Sequence, residues 1–203
     1  ARPSDAPSIL SHLLLHFVPH EPLGVCLGVT PELQTPSWKK LIDDCIASGT
    51  SVVLRNVRDE VVAVRMSSIV HRNGPDFDVL DDCEATKITM DLVHELNSKL
   101  WDLVPAHIHT LLYIAAISVS AEYRGQGLAS IVVDALTDEL KASGVQGSTA
   151  EATAVPSQKA FKRSGYRTLQ EVEYAQFETE DGRRPFATTH DGTTRGELVF
   201  KEF

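Results

Sequence analysis

The residues from Ile117 to Ala129, ISVSAEYRGQGLA, hold the arrangement with the clearest chemistry. They begin inside an apolar run, Leu111 to Val119, whose β-branched and aromatic residues read as a buried strand too short to cross a membrane. Small residues at Gly125, Gly127 and Ala129 then alternate with Arg124, Gln126 and Leu128, and the apolar spacing turns helical through Leu128, Ile131, Val132, Ala135, Leu136 and Leu140. A strand that passes through glycines into a helix leaves several N–H groups pointing one way at the positive end of the helix dipole. Such a corner suits an anion, above all a phosphate or pyrophosphate, and Arg124 adds a cation beside it. The same string, taken alone, also fits a glycine-rich helix start with no ligand.

The spacing excludes two common phosphate sites. Neither the G-x-G-x-x-G dinucleotide fingerprint nor the G-x-x-x-x-G-K-[ST] loop is present. Arg124-x-x-Gly127-x-Ala129 after a hydrophobic strand resembles instead the R/Q-x-x-G-x-G/A signature of the GNAT superfamily of acyl-CoA-dependent N-acyltransferases. A later helical stretch, Ser157 to Ser164, ends in Gly165-Tyr166, similar to that family's A-x-x-x-Y-x-x-x-G-F segment. The resemblance implies an α/β (α+β) GNAT fold: a central mixed, largely antiparallel sheet of about seven strands, flanked by helices and splayed at the central strand. It also implies acetyl-CoA as co-substrate, with Arg124, Gly125, Gln126, Gly127, Leu128 and Ala129 on the diphosphate and Ile117, Ser118 and Val119 on the acyl end.

Acyl transfer to an amine needs a base for the ammonium proton, donors for the developing oxyanion and, in many cases, an acid for the thiolate; it needs no metal. The family's usual acid is a tyrosine four residues before Gly165, where this chain has Phe161, which has no proton to give. Hydroxyls remain at Thr153 and Ser157, read as one helical turn apart on one face. Glu21 stands in a proline-restricted turn, His20-Glu21-Pro22-Leu23, which can fix a carboxylate at a site; on residue type alone it reads as a solvated loop acid. The Glu21-Pro22-Leu23 turn, the Leu112-Tyr113-Ile114 run, Tyr123 to Ala129 and the hydroxyls in place of tyrosine resemble the invertebrate arylalkylamine (dopamine-type) N-acetyltransferases. That resemblance implies Glu21 as the general base, Ser157 as an assisting hydroxyl that also lies beside the cofactor, and Thr153 as a second hydroxyl. His107-x-His109 is similar to the paired bases of the vertebrate arylalkylamine enzymes, but the matching places here are Tyr113 and Ala115, and six residues of strand is about 20 Å. Those histidines therefore read as structural or loop residues.

The surrounding elements follow from periodicity. Ser4 or Ser8 is expected to cap a first helix with Ile9, Leu10, Leu13, Leu14 and Phe17 on one face, stopped by Pro19 and Pro22. A second helix is expected over Ser37 to Ala47, ended by Gly49, then a valine-rich hairpin from Ser51 to Val57 and Val61 to Val70, then a polar loop over Arg72 to Asp82. A third helix is expected over Thr86 to Trp101 and one unbroken helix over Gly127 to Ala142. Gly147 to Ala152 reads as a weakly apolar strand whose small side chains let a cofactor pass, and Tyr166 to Phe177 pairs with Glu197 to Phe203 as a closing hairpin.

At 203 residues and 42% apolar, the chain suits one GNAT N-acetyltransferase domain over 1–203. Its three cysteines lack paired or metal-ligand spacing, so a reducing cytoplasmic setting is expected, with no metal. A net charge of −9 disfavours nucleic acid and suits a cationic small-molecule amine, and no membrane segment is read. A monomer or weak dimer is expected. The readings carried forward are acetylation of a small, arylalkyl-type amine (the dopamine, serotonin and tryptamine class), acetylation of a protein lysine or a polyamine, and a CoA-binding sensor without turnover, to which Phe161 points.

Overall fold

The computed structural model describes residues 1–74 and 83–203; most of the polar loop expected over Arg72 to Asp82 lies outside the described residues. In chain order the elements are helices α1 (Ala6–His16), α2 (Pro22–Cys26) and α3 (Pro31–Ala47), strands β1 (Val52–Arg55) and β2 (Val61–His71), and helices α4 (Glu84–Asn97) and α5 (Leu100–Leu103). Strand β3 (Thr110–Val119), helices α6 (Leu128–Asp134) and α7 (Thr137–Ala142), strand β4 (Gly147–Ala152), helix α8 (Val155–Arg163) and strands β5 (Arg167–Glu173) and β6 (Arg195–Glu202) follow.

The six strands are the six segments read from the sequence. They form one mixed sheet in the order β1-β2-β3-β4-β6-β5, with β3 and β4 parallel and every other neighbouring pair antiparallel. The expected sheet of about seven strands has six among the described residues. The splay at the central strand is present: β3 and β4 pair only through Leu111–Gly147, Leu112–Ser148 and Tyr113–Thr149, then diverge. On its other edge β3 pairs with β2 through Val119, and the register skips Ala115, a bulge at mid-strand. The small side chain of Gly147 serves the sheet rather than a cofactor, since a Cβ there would meet the Lys201 carbonyl at 2.7 Å.

One face of the sheet packs Leu112, Ile114, Ala150 and Ala152 against Val133 of α6 and Phe161 of α8. The other packs Val64, Met66 and Ala116 against Ile9 and Leu13 of α1 and Trp38, Ile42 and Cys45 of α3. Helix α4 buries Ile88, Leu92 and Leu96 against Leu23, Val172 and Tyr174. The wedge between β3 and β4 is therefore walled by helices on both faces of the sheet.

Four expected boundaries differ. Helix α1 has Asp5 at its N-cap position, and Ser8 lies inside the helix, its hydroxyl donating to the Asp5 carbonyl. Helix α3 starts six residues early, because Thr30 caps it and Pro31 occupies its first position; the helix then runs through Pro36. The third helix stops at Asn97, and Leu100 packs into a separate cluster with Val104, Ile108 and Leu111. The helix after the glycine turn is broken at Ala135 and Leu136, the latter at φ +64°. Arg65 of β2, 0% exposed, sits at the break: its Nη1 donates to the carbonyls of Val132, Val133 and Ala135 at 2.8–3.0 Å and its Nη2 to Thr50 at 2.7 Å. Burial lowers its pKa to about 10, so the guanidinium stays charged at neutral pH, solvated by carbonyl dipoles.

Candidate active site

Divergence of β3 from β4 opens a cavity of about 470 Å³. Ile114 to Val119 form one wall, Thr153 to Ser157 with Phe161 the other, the glycine turn lies at one end and Glu21 at the other. A second cavity of about 190 Å³ lies between the turn after α1, helices α2, α3 and α4, and the sheet, with Val18, Leu23, Trp38, Leu41, Met90 and Val93 among its apolar side chains. Phe17, Glu21, Ala115, Glu151 and Thr153 line both, so the two spaces meet at this group.

At the turn, Ala121–Tyr123 form a 3₁₀ helix, and Gly125 and Gly127 take φ of +78° and +82°, a left-handed conformation natural to glycine. No amide from Gly125 to Ser130 is taken up by a backbone carbonyl among the described residues. Helix α6 is only seven residues long, so these free amides supply the anion attraction more than a long dipole does. Arg124 is held by carbonyls, Nε donating to Val119 and Nη2 to His16, each at 3.3 Å. Gln126 does not line the cavity; its amide turns back to the Glu122 carbonyl at 3.4 Å. Ile117, Ser118 and Val119 do line it, and the Ser118 hydroxyl lies 3.1 Å from Nε2 of the buried His12.

Glu21 is not a solvated loop acid. It N-caps α2, its Oε2 accepting from the Gly24 amide at 2.6 Å, with Pro22 at the first helical position. Its Oε1 accepts from the Thr153 hydroxyl at 3.0 Å. Burial pushes this carboxyl above the usual range; the Gly24 amide and Thr153 oppose that, and the nearby Asp191 charge adds to it. Thr153 is itself fixed from behind, its carbonyl accepting from the Tyr174 hydroxyl at 2.7 Å.

Thr153 and Ser157 do not share a helical face as expected. Ala154 is extended and caps α8, which leaves Thr153 outside the helix, while the Ser157 hydroxyl donates to the Ala154 carbonyl at 2.8 Å. The structure thus brings Thr153 onto Glu21 and leaves Ser157 in the cavity wall, at the start of α8. Phe161 is 2% exposed and meets Tyr166 edge to face at 4.9 Å. His107 and His109 precede β3 and line neither cavity; His107 instead pairs with Glu202 at 2.9 Å.

Sequence reasoning missed Glu151 and Tyr113. Tyr113 donates its hydroxyl to Glu151 Oε2 at 2.7 Å in the wall of the second cavity. Glu151 had a signal: it is the single charged residue in the strand GSTAEA. His16 and His20, also unremarked, line the first cavity.

Residues 98–166, which include the glycine turn and both strands of the wedge, match the model of the acetyltransferase (GNAT) family. No curated protein matches the chain in sequence. In fold it is similar to arylalkylamine N-acetyltransferase 2 from Aedes aegypti, with 20% identity, a TM-score of 0.86, and coverage of 100% of this chain and 96% of that one. It is also similar to Drosophila melanogaster polyamine N-acetyltransferase, described as forming N-acetylagmatine, with 15% identity, a TM-score of 0.81, and coverage of 100% and 97%. The family match thus spans the splayed strands and the glycine turn, and the likeness in fold extends over the whole chain.

Proposed function

We propose that the chain is a GNAT-family acetyltransferase, a single domain that moves an acetyl group from acetyl-CoA to the primary amine of a small arylalkylamine, with Glu21 as general base. The observation that carries the reading is the meeting of two unlike cavities at one carboxylate. One leads to free amides and Arg124, which suit a diphosphate; the other sets the apolar side chains of Val18, Leu23, Trp38, Leu41, Met90 and Val93 beside uncharged polar ones such as Gln34, Ser37, Thr86 and Thr89, with Glu21 and Glu151 where it meets the first. The third acid in the second cavity's wall, Asp44, is neutralised by Lys40 at 2.8 Å. Negative charge is thus concentrated where the amine reacts, and the remainder suits an uncharged ring. A polyamine needs a second anionic subsite at the far end. The likeness to the mosquito enzyme agrees with this reading, and the likeness to the polyamine enzyme makes spermidine and agmatine the necessary competitors.

In this mechanism the ammonium gives a proton to Glu21, whose raised pKa brings the base closer to neutral pH than an ordinary carboxylate. Amides of β3 beyond Tyr113, left unpaired on the β4 side by the splay, polarise the thioester carbonyl as the C–N bond forms. The C–S bond then breaks and the thiolate takes the second ammonium proton. With Phe161 in the tyrosine's place, Ser157 is the hydroxyl in the cavity wall that can relay it, by turning from the Ala154 carbonyl.

The test is release of free thiol from acetyl-CoA with tryptamine, dopamine, spermidine, agmatine and a lysine peptide. Arylalkylamines are expected to give the highest kcat/KM. Preference for a polyamine or the peptide overturns the acceptor class, and silence with every amine despite CoA binding overturns transfer itself.

A further inference from the structure

Glu151 is an acid on a strand that is otherwise small and neutral, in the wall common to both cavities. Its Oε2 accepts from Tyr113 at 2.7 Å, while its Oε1 is enclosed; the Asn97 amide stabilises the carboxyl's charge without reaching hydrogen-bond geometry at Oε1. A buried carboxylate oxygen without a donor is costly, and the group that removes the cost is a cationic N–H. The terminal torsion of a glutamate is broad, so a small turn about it presents Oε1 to the cavity. Two residues on, Thr153 carries the hydroxyl bonded to Glu21, and two residues of extended chain span about 7 Å on one face. An ammonium held by Glu151 therefore stands within one step of the base.

We infer that Glu151, steadied by Tyr113, is the residue that receives the ammonium group of the acceptor and selects charged amines over neutral analogues, leaving Glu21 to take the proton. The inference rests on the acetyltransfer reading above and divides the work of its two acids. Burial pushes the Glu151 carboxyl up, while Tyr113 and the Asn97 amide pull it back toward the charged form; an arriving cation pulls it further the same way. Tyr113 has the matching role of a positioning residue: it holds one oxygen so that the other faces the ligand.

The experiment compares tryptamine with its neutral alcohol counterpart, tryptophol, binding to the CoA-saturated protein, which has no acetyl group to transfer. The wild type is expected to favour tryptamine at least 30-fold. Glu151→Gln is expected to reduce that ratio at least tenfold with CoA affinity unchanged, and Glu21→Gln to leave it within threefold. A ratio preserved in Glu151→Gln, or abolished by Glu21→Gln alone, overturns the inference. Should Glu151→Gln not fold, the Glu21→Gln protein still decides the matter. Its tryptamine affinity is expected to fall through a single ionisation as the pH is lowered, and a flat profile overturns the assignment. Turnover with the ratio retained removes only this inference; a wild type that binds no amine removes the acetyltransfer reading with it.

Discussion

The Thr153 hydroxyl donates to Oε1 of Glu21 across 3.0 Å, joining positions 132 residues apart in the chain. This bond stabilises the carboxylate against the upward pull of burial, so it sets how much of the base is ionised at neutral pH. Glu21→Gln is expected to lower kcat by about 10²–10⁴-fold with CoA affinity unchanged, the range of a lost general base. Thr153→Val removes one stabiliser of the charged form, so the rising limb of the pH–rate profile moves to higher pH. Steady-state kinetics across pH 5 to 9 checks both; an unmoved limb in Thr153→Val and an unchanged profile in Glu21→Gln would take Glu21 out of the mechanism.

Gly127 sits at φ +82°, and a Cβ added there would have nothing within 4 Å, so a substitution meets no protein atom. Its cost is the left-handed backbone, about 1–2 kcal/mol for an L residue, plus obstruction of whatever approaches the free amides. Gly127→Val is expected to weaken CoA binding at least tenfold while thermal unfolding shifts by only a few degrees. Calorimetric titration with CoA, beside a melting curve, separates the two effects, and wild-type affinity in the variant would move the diphosphate site elsewhere.

How far the sequence spoke follows from the range of each interaction. The central strand, the glycine turn and the hairpins were legible because period and turn chemistry are local. Glu21 on residue type alone read as solvated, because its burial depends on Thr153, far along the chain. Tyr113 becomes notable only when β3 and β4 lie side by side, and the lone charge of Glu151 in its strand, though visible, does not name the partner that β3 brings to it. The helix expected over Gly127 to Ala142 has an unbroken apolar period, and nothing in that period announces a guanidinium arriving from β2.

His12 is 4% exposed, between the Val61 carbonyl and the Ser118 hydroxyl, and burial lowers its pKa to about 4 from an ordinary 6.5. The unfolded chain takes up this proton below 6.5 and the folded chain does so only near 4. Stability is therefore lost as the pH falls through that window, by about 2 kcal/mol at pH 5 from this residue. Glu21 and Glu151, both pushed upward, act in the opposite direction. The contribution is read as a difference: urea denaturation of His12→Gln is expected to show less loss between pH 7 and pH 5 than the wild type. Parallel curves for the two proteins would mean that His12 is already charged in the fold.

Arg65 and Leu136 make the last prediction. The guanidinium satisfies four carbonyls, those of Thr50, Val132, Val133 and Ala135, and three of them lie where α6 ends. Arg65→Met leaves all four without this donor in a buried setting, at about 1–3 kcal/mol each for any that find no other, so a loss of several kcal/mol is expected. Arg65→Lys, with three donors on one nitrogen, is expected to recover part of it. Leu136 at φ +64° carries the strain that the break imposes, and Leu136→Gly is expected to relieve it by up to about 1 kcal/mol. If the break were instead an accident of the helix's own sequence, Arg65→Met would leave the urea midpoint in place. CoA affinity should fall with Arg65→Met as well, because α6 carries the free amides at its start and Arg65 holds its other end.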